Sequence, residues 1–245
     1  MQAAARTDVG IMRQMNQDYC YANTESEGLL PNLFIVADGM GGHNAGDFAS
    51  RFCVEKFVEL VRSAGKGVIS KLSFLENAIR ETNEQLIIKA TDNPEFEGMG
   101  TTFVAATISE NNEMDVLNIG DSRLYLIDST IRQITEDHSL VMEMVKNGEI
   151  KKEEARFHPK KNVVTRAISA IGIVIPDMFR VPVKKGDIIL LCSDGLSNMV
   201  ADNEIYDIIN ENRDDLALSA DILIDHANKN GGKDNITVVL IKIED

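Results

Sequence analysis

The feature of this sequence that most constrains its fold is a set of aspartates at the borders of apolar, strand-like runs. Three of them close such a run and the fourth opens one, in chain order Asp38, Asp121, Asp194 and Asp234. In an antiparallel pair, a strand that ends in Asp and a strand that begins with Asp bring both carboxylates to one end of the sheet. Carboxylates at that density repel one another unless cations lie between them, and hard metal ions prefer oxygen ligands. The pattern therefore predicts metal binding at one end of a sheet.

Each aspartate, taken alone, also fits a plain turn. Asp followed by Gly, as at Asp38 and Asp194, is a common turn dipeptide, and Asp121 lies in a tight hairpin where Asp is expected. The joint pattern favours function, because all four residues lie at strand ends and a basic residue follows closely only at Asp121. Gly39, next to Asp38, has no side chain and lets a backbone oxygen approach a cation. The segment 39–42 is glycine-rich but lacks the Lys and hydroxyl of a P-loop, so nucleotide binding is the weaker interpretation.

The composition of the chain limits the classes of molecule that it can bind. The 245-residue chain has a net charge of −14, which argues against nucleic-acid binding through a basic surface. An anionic substrate would need local positive charge to overcome that field. No apolar stretch is long enough to span a membrane and no signal peptide is visible, so we expect no membrane insertion. Three scattered cysteines are typical of reduced thiols in a cytoplasmic protein.

Hydrophobic periodicity predicts an α+β protein of one domain, residues 1–245. Helical spacing of apolar residues predicts helices at 44–61, at 73–89 with a capping box from Ser73 to Glu76, and at 216–227. Four short strands are predicted between the second and third helices, at 101–108, 114–119, 123–127 and 131–134. Connectors this short force antiparallel hairpins, so we expect antiparallel sheets covered by helices. The least regular part, 138–187, contains a helix candidate at 140–146 and is interpreted as a mobile flap.

Two further residues upstream extend the predicted site. Arg13 is of the type that captures a phosphate through paired hydrogen bonds, although a solvated loop arginine explains that segment equally simply. Asp18 adds a fifth carboxylate, direct or through water. A phosphatase mechanism through a covalent cysteine is excluded, because no arginine stands six positions after any of the three cysteines.

The order of these motifs resembles a known family. The motifs are Arg13-x-x-Asn-Gln-Asp18, Val36-Ala-Asp38-Gly-Met-Gly-Gly-His43, Gly100-Thr-Thr102, Gly120-Asp121-Ser-Arg123, Asp137-His-Ser139, Ser193-Asp194-Gly-Leu196 and Gly232-Lys-Asp234-Asn235. Together they resemble the metal-dependent serine/threonine protein phosphatases of type 2C, in their short bacterial form. The resemblance runs from about Thr7 to Ile243.

The resemblance implies a fold and a metal centre. The fold would be a four-layer α-β-β-α sandwich, with two antiparallel sheets face to face and helices outside. The centre would hold two Mn²⁺ or Mg²⁺ ions, with a third in many bacterial relatives. The implied ligands are Asp38 for both ions, the Gly39 carbonyl for the first, Asp194 and Asp234 for the second, Asp18 through water, and Asp121 with Asp194 for the third. Arg13 matches the arginine that binds the substrate phosphate.

The resemblance also implies an activity and partners. A water or hydroxide shared by two ions would attack the phosphorus of phosphoserine or phosphothreonine directly. The enzyme would act in signal transduction on phosphorylated proteins and oppose a bacterial serine/threonine kinase. The sequence leaves the oligomeric state open, and a monomer is the default expectation.

Two departures and one rival remain. Some relatives have a histidine directly after the Asp-Gly as general acid, but Met40 stands there and His43 lies three positions on, so the acid is unassigned. Ser169 replaces a glycine of the flap motif in relatives. The rival is a catalytically silent relative that only binds phosphoproteins.

Overall fold

The computed structural model describes residues 1–42, 45–65, 70–169 and 172–244. The strands are β1 Gln2–Asp8, β2 Asp18–Asn23, β3 Leu33–Met40, β4 Gly100–Thr101, β5 Phe103–Ile108, β6 Glu113–Ile119, β7 Arg123–Ile127, β8 Ile131–Gln133, β9 Ile168–Ser169, β10 Asp177–Pro182, β11 Ile188–Cys192 and β12 Ile236–Lys242. The helices are α1 Ala45–Ser63, α2 Lys71–Asp92, α3 Leu140–Lys146, α4 Lys152–Ala155, α5 Asp194–Ser197, α6 Asp202–Glu211 and α7 Leu216–Lys229. A 3-10 turn covers Pro94–Phe96.

The strands form two antiparallel sheets. The first sheet has the order β1-β12-β11-β7-β8. The second has the order β10-β6-β5-β3-β4-β9, and β2 also pairs with β3. Two of the three hairpins predicted from the short connectors are confirmed, since β5 pairs with β6 and β7 with β8. The third was wrong, because β6 lies in the second sheet and β7 in the first, so the short connector with Asp121 and Ser122 crosses between the sheets.

Alternating side chains divide the core into three layers. In β3, Phe34 and Val36 face the other sheet, where they pack in one cluster with residues such as Leu191 and Val239. The neighbouring Ile35 and Ala37 point outward to the cluster beneath α1 and α2. Helices α5, α6 and α7 cover the outer face of the first sheet. The expected four-layer α-β-β-α sandwich is thus confirmed.

The start of α2 differs from the predicted one. The predicted capping box at Ser73 was wrong, because α2 begins earlier and Ser70 is its N-cap, accepting a hydrogen bond from the Ser73 amide. A serine that caps a helix must precede the first turn, and Ser73 already lies within it. The start predicted for α1, Asn44, lies outside the described residues.

The segment 138–187 is more regular than the sequence suggests. It contains the predicted α3, then α4, and the two strands β9 and β10, which hydrophobic periodicity did not indicate. Strand β10 pairs with β6 over its full length and forms an edge of the second sheet. Its residues are mostly half-buried rather than alternating in burial, so the period-two signal is weak there.

Candidate metal centre

The second sheet supplies two carboxylates to one point between the sheets. Asp38 follows Phe34 and Val36 at period two, so its side chain lies on the same inner face of β3. Asp18, the first residue of β2, pairs directly opposite Asp38. Residues opposite each other in an antiparallel pair share a face, and therefore both carboxylates point toward the other sheet.

The first sheet supplies two more carboxylates from the opposite side. Strands β11 and β12 are antiparallel, so Asp194 after β11 and Asp234 before β12 lie at the same end, as the sequence predicts. Asp194 is the first residue of α5 and lies within side-chain hydrogen-bonding distance of Asp38. Asp121, in the turn between β6 and β7, adds to the negative field on Asp38. The structure thus brings all five predicted aspartates together.

Burial and repulsion by neighbouring carboxylates make four of these groups hard to ionise: Asp18, Asp38, Asp121 and Asp194. Burial, helped by the charges of Asp194 and Asp234, raises the pKa of Asp18 to about 7 against the opposing hydrogen bonds from Ser193 and Thr237. Burial, with the charge of Asp234, raises the pKa of Asp194 to about 6. Burial also raises the pKa of Asp38 and of Asp121 well above the ordinary range. A cation among them would reverse these shifts, because it stabilises the charged forms.

The residues present fit hard cations that also take water as a ligand. With the aspartates ionised, Asp18 Oδ1 and Asp194 Oδ1 are buried and accept no hydrogen bond from the described residues. Buried oxygens of this kind require a partner, and a metal ion is one. Among the described residues, no group of three acidic, histidine or cysteine side chains is arranged closely enough to hold one ion by itself. Such a centre suits Mg²⁺ or Mn²⁺, which bind through few carboxylates and complete their shell with water.

Gly39 lies where no side chain would fit. A Cβ atom at this position would come 2.0 Å from the Gly46 carbonyl oxygen and 2.6 Å from that of Gln17. The Gly39 amide donates a hydrogen bond of 3.0 Å to the Gln17 carbonyl. The glycine therefore lets the end of β3 approach both the start of α1 and the segment before β2.

Arg13 joins the centre at its rim. Its Nη2 donates to Asp234 Oδ2 at 2.7 Å, and 47% of its side chain is exposed. The loop that carries it is docked on the segment before β12, where the Ile11 and Met12 amides donate to the Gly232 carbonyl. Gly10, at φ +77°, is needed there, because a Cβ would lie 2.2 Å from the Asp234 carbonyl oxygen.

Asn235 positions the segments around the site. The sequence analysis included it in a motif but gave it no role. It is 3% exposed, and its Oδ1 accepts from the Gln17 amide at 2.9 Å. Its Nδ2 donates to the Val9 and Met15 carbonyls at 2.8 and 2.9 Å. One side chain thus fixes both ends of the Arg13 loop. Its position next to Asp234 was the available signal.

Two hydroxyl groups position aspartates of the centre, one through a carboxylate and one through a backbone amide. Ser193 Oγ donates to Asp18 Oδ2 at 2.7 Å and accepts from the Thr237 amide at 3.0 Å, which links the two sheets. Thr102 Oγ1 accepts from the Asp38 amide at 2.9 Å. The sequence argument placed Thr102 and Ser193 in motifs but gave neither a role.

The Asp121 turn has its own support. Arg123 donates to both oxygens of Asp137, the shortest contact being 2.7 Å. His138 accepts at Nδ1 from the Gly120 amide at 3.0 Å, so its proton is on Nε2, which lies 3.0 Å from Asp177 Oδ2. No histidine donor reaches the centre in the described residues. His43 lies outside them, and Met40 ends β3.

A four-layer α-β-β-α sandwich with an acidic centre between its two sheets defines the class of metal-dependent serine/threonine protein phosphatases, which are hydrolases. The sequence model of the family called protein phosphatase 2C matches residues 12–235, and the chain belongs to that family. The resemblance drawn from the motifs is thus confirmed.

Individual relatives agree with this assignment. The chain is 43% identical to a serine/threonine phosphatase, stp, of Listeria welshimeri, over 99% of this chain and 96% of the relative. It superposes on the crystal structure of the Mycobacterium tuberculosis serine/threonine phosphatase PstP/Ppp with a TM-score of 0.89, at 36% identity over 100% and 99% of the two chains. A structure of the PstP catalytic domain in complex with two manganese ions gives 0.85 at 35% identity, over 100% and 98%. In the described ranges, no helix has the length and apolar character to cross a bilayer.

Proposed function

We propose that this chain hydrolyses phosphoserine and phosphothreonine in proteins at the centre formed by its five aspartates. The observation that carries the proposal is the convergence of these buried carboxylates, with two orphaned oxygens, beside an exposed arginine. When bound, two Mn²⁺ or Mg²⁺ ions would supply an activated water that attacks phosphorus directly and would offset charge on the phosphoryl oxygens.

Each residue then has a distinct role in holding the ions. Asp38 lies between the carboxylates of both sheets and would contact both ions, the first also through the Gly39 carbonyl. Asp194 and Asp234 would hold the second ion from the first sheet. Asp18, whose Oδ2 is already engaged by Ser193, would act through water. Asp121 with Asp194 would hold a third ion.

Arg13 would bind the substrate phosphate. The guanidinium has five donors, and the Asp234 contact occupies one nitrogen. A cation bound by Asp234 would weaken that contact, and the exposed Arg13 side chain would then be free to donate to a phosphoryl group. Asn235 keeps the loop in position during this change, since its three hydrogen bonds involve only backbone partners.

Several finer points belong to the same proposal. The whole chain, 1–245, would act as one catalytic domain, with 138–187 as the flap beside the centre. Its substrates would be those of a bacterial serine/threonine kinase, whose signalling it would oppose. The enzyme would work in the cytoplasm as a monomer; its three free cysteines support that compartment.

The test is manganese-dependent hydrolysis of p-nitrophenyl phosphate by the wild type and by Asp38→Asn. We expect turnover only with metal and only in the wild type. Asp225→Asn, an exposed aspartate on α7, is the matched control and should keep full activity. Full activity of the wild type in excess chelator would refute the proposal. Phosphopeptide binding without turnover at any metal concentration would instead favour the silent relative.

A further inference from the structure

A cavity of about 590 Å³ adjoins the metal centre. It lies between strands β7 and β8 and helices α3 and α4, and Asp121 and Asp194 form the wall that it shares with the centre. This volume lies in the range of protein cavities that bind small ligands. Whatever occupied this cavity would therefore lie next to the scissile phosphate.

The cavity wall concentrates positive charge in a chain whose net charge is −14. Five basic residues line it: Arg123, Lys146, Lys152, Arg156 and Lys161. Two of them are neutralised on the wall itself, since Arg123 pairs with Asp137 at 2.7 Å and Lys146 with Glu136 at 2.5 Å. Three basic groups are left without an acidic partner in contact.

These three groups are available to a ligand. The side chains of Lys152 and Arg156 form no hydrogen bond or ion pair with any residue in the described ranges. Lys161 donates to the neutral amide of Asn198 at 3.1 Å, and Asn198 in turn donates to Asp194 Oδ2 at 2.8 Å. Lys161 therefore lies two hydrogen bonds from the centre.

The basic groups are also close enough to disfavour one another. Burial lowers the pKa of Lys161, Asp194 opposes that change, and the charge of Arg156 lowers the pKa further. Gathered cations need an anion for the same reason that gathered carboxylates need a metal. The remaining acids of the wall are Asp121, Asp194 and Asp202, and the first two would be neutralised by the bound ions.

We propose that this cavity is a subsite for a second anionic group of the phosphoprotein substrate, a carboxylate or a further phosphate close to the residue being hydrolysed. The inference rests on the proposed function, because metal ions must first neutralise Asp121 and Asp194. It defines a substrate class: phosphoserine or phosphothreonine flanked by acidic or phosphorylated residues.

The test compares phosphopeptides that differ only beside the phosphothreonine. One series carries neutral neighbours, a second carries Asp or Glu, and a third carries another phosphoserine. We expect kcat/KM of the wild type to be about tenfold higher for the anionic series, since two or three partly exposed charge contacts supply that much. The preference should fall to less than about twofold in the double variant Lys152→Gln/Arg156→Gln, and it should weaken with added salt.

The matched control is Lys151→Gln. Lys151 is an exposed lysine next to Lys152 that does not line the cavity. It should keep the peptide preference, and all variants should hydrolyse p-nitrophenyl phosphate at the wild-type rate, because that small ester does not reach the cavity. Equal kcat/KM for the three series in an active wild type would overturn the subsite and leave the proposed function standing. If the wild type hydrolysed neither the phosphopeptides nor p-nitrophenyl phosphate, the proposed function would be refuted instead.

Inorganic phosphate distinguishes a second source of the anion. If added phosphate raises the melting temperature of the wild type more than that of the double variant, and no peptide preference exists, the cavity binds free phosphate and the substrate assignment is wrong. An equal rise in both proteins, together with the peptide preference, would support it.

Discussion

The acidic centre has two parts that are held in different ways. Asp18 and Asp38 come from one sheet and Asp194 from the other, and Ser193 of one sheet hydrogen-bonds Asp18 of the other. Asp121 lies in the connector that takes the chain from β6 in the second sheet to β7 in the first, and His138 accepts a hydrogen bond from the Gly120 amide of that connector. The first part depends on a side-chain contact between the two sheets, whereas the connector is held by contacts of its own flanking residues, Gly120 and Arg123. Changes in the first part should therefore affect activity and stability together, and changes at Asp121 should affect metal binding alone.

Asp38→Asn should produce the largest effect. It removes the carboxylate that we propose to contact both ions, and we expect kcat to fall by roughly 1000-fold, about 4 kcal/mol of transition-state stabilisation. The metal-free variant should melt at a higher temperature than the metal-free wild type, because a buried, repelled carboxylate is gone. Steady-state kinetics measures the fall in kcat. Scanning calorimetry with chelator and with Mn²⁺ measures the melting temperatures. A metal-induced rise in melting temperature equal to that of the wild type would contradict the assignment.

Asn235→Ala should have the next largest effect, and it tests how the Arg13 loop depends on the docked sheets. The change leaves the Gln17 amide and the Val9 and Met15 carbonyls without partners, at a cost of about 2–4 kcal/mol in the free energy of unfolding. A misplaced Arg13 should also lower kcat/KM by at least about tenfold. Denaturant unfolding and phosphopeptide kinetics provide the measurements.

The control for that variant is Asn230→Ala, which removes a single hydrogen bond to the Met199 carbonyl at an exposed site. It should cost about 1 kcal/mol or less and leave kcat/KM unchanged. Equal losses in the two variants would show that Asn235 has no special role in placing Arg13.

The pH dependence of stability should separate the metal-free from the metal-bound centre. The folded-state pKa values of Asp18 and Asp194, about 7 and about 6, lie above the unfolded value of 3.8. The folded state therefore binds more protons, and the stability that these groups contribute below pH 4 is lost as pH rises to about 7. The melting temperature in chelator should thus fall between pH 5 and pH 8, and Mn²⁺ should remove that fall. A flat profile in chelator would contradict the burial of these acids.

The sequence predicted the centre better than it predicted the chain around it. Period-two patterns and Asp at strand ends were sufficient for Asp38, Asp194 and Asp234, because antiparallel pairing converts such patterns into position. The roles of Asn235 and Ser193 could not be predicted, since each joins segments that are distant along the chain. Strand β10 was missed because its residues are half-buried or exposed at a sheet edge and alternate only weakly in burial.

Asp121→Ala should have the smallest effect, and it decides whether Asp121 is a metal ligand or only a residue of the turn between the two sheets. We expect the free energy of unfolding without metal to fall by no more than about 0.5 kcal/mol, because the supporting contacts of the turn come from its neighbours and the change removes a buried carboxylate that other aspartates repel. The Mn²⁺ stoichiometry by titration calorimetry should fall by one while the two tighter ions remain. Asp128→Ala, in the hairpin between β7 and β8, should do the opposite: its carboxylate accepts from the Thr130 amide at 3.0 Å, so stability should fall while metal binding stays unchanged. If Asp121→Ala behaves like Asp128→Ala, the aspartate is structural and the third ion has no ligand there.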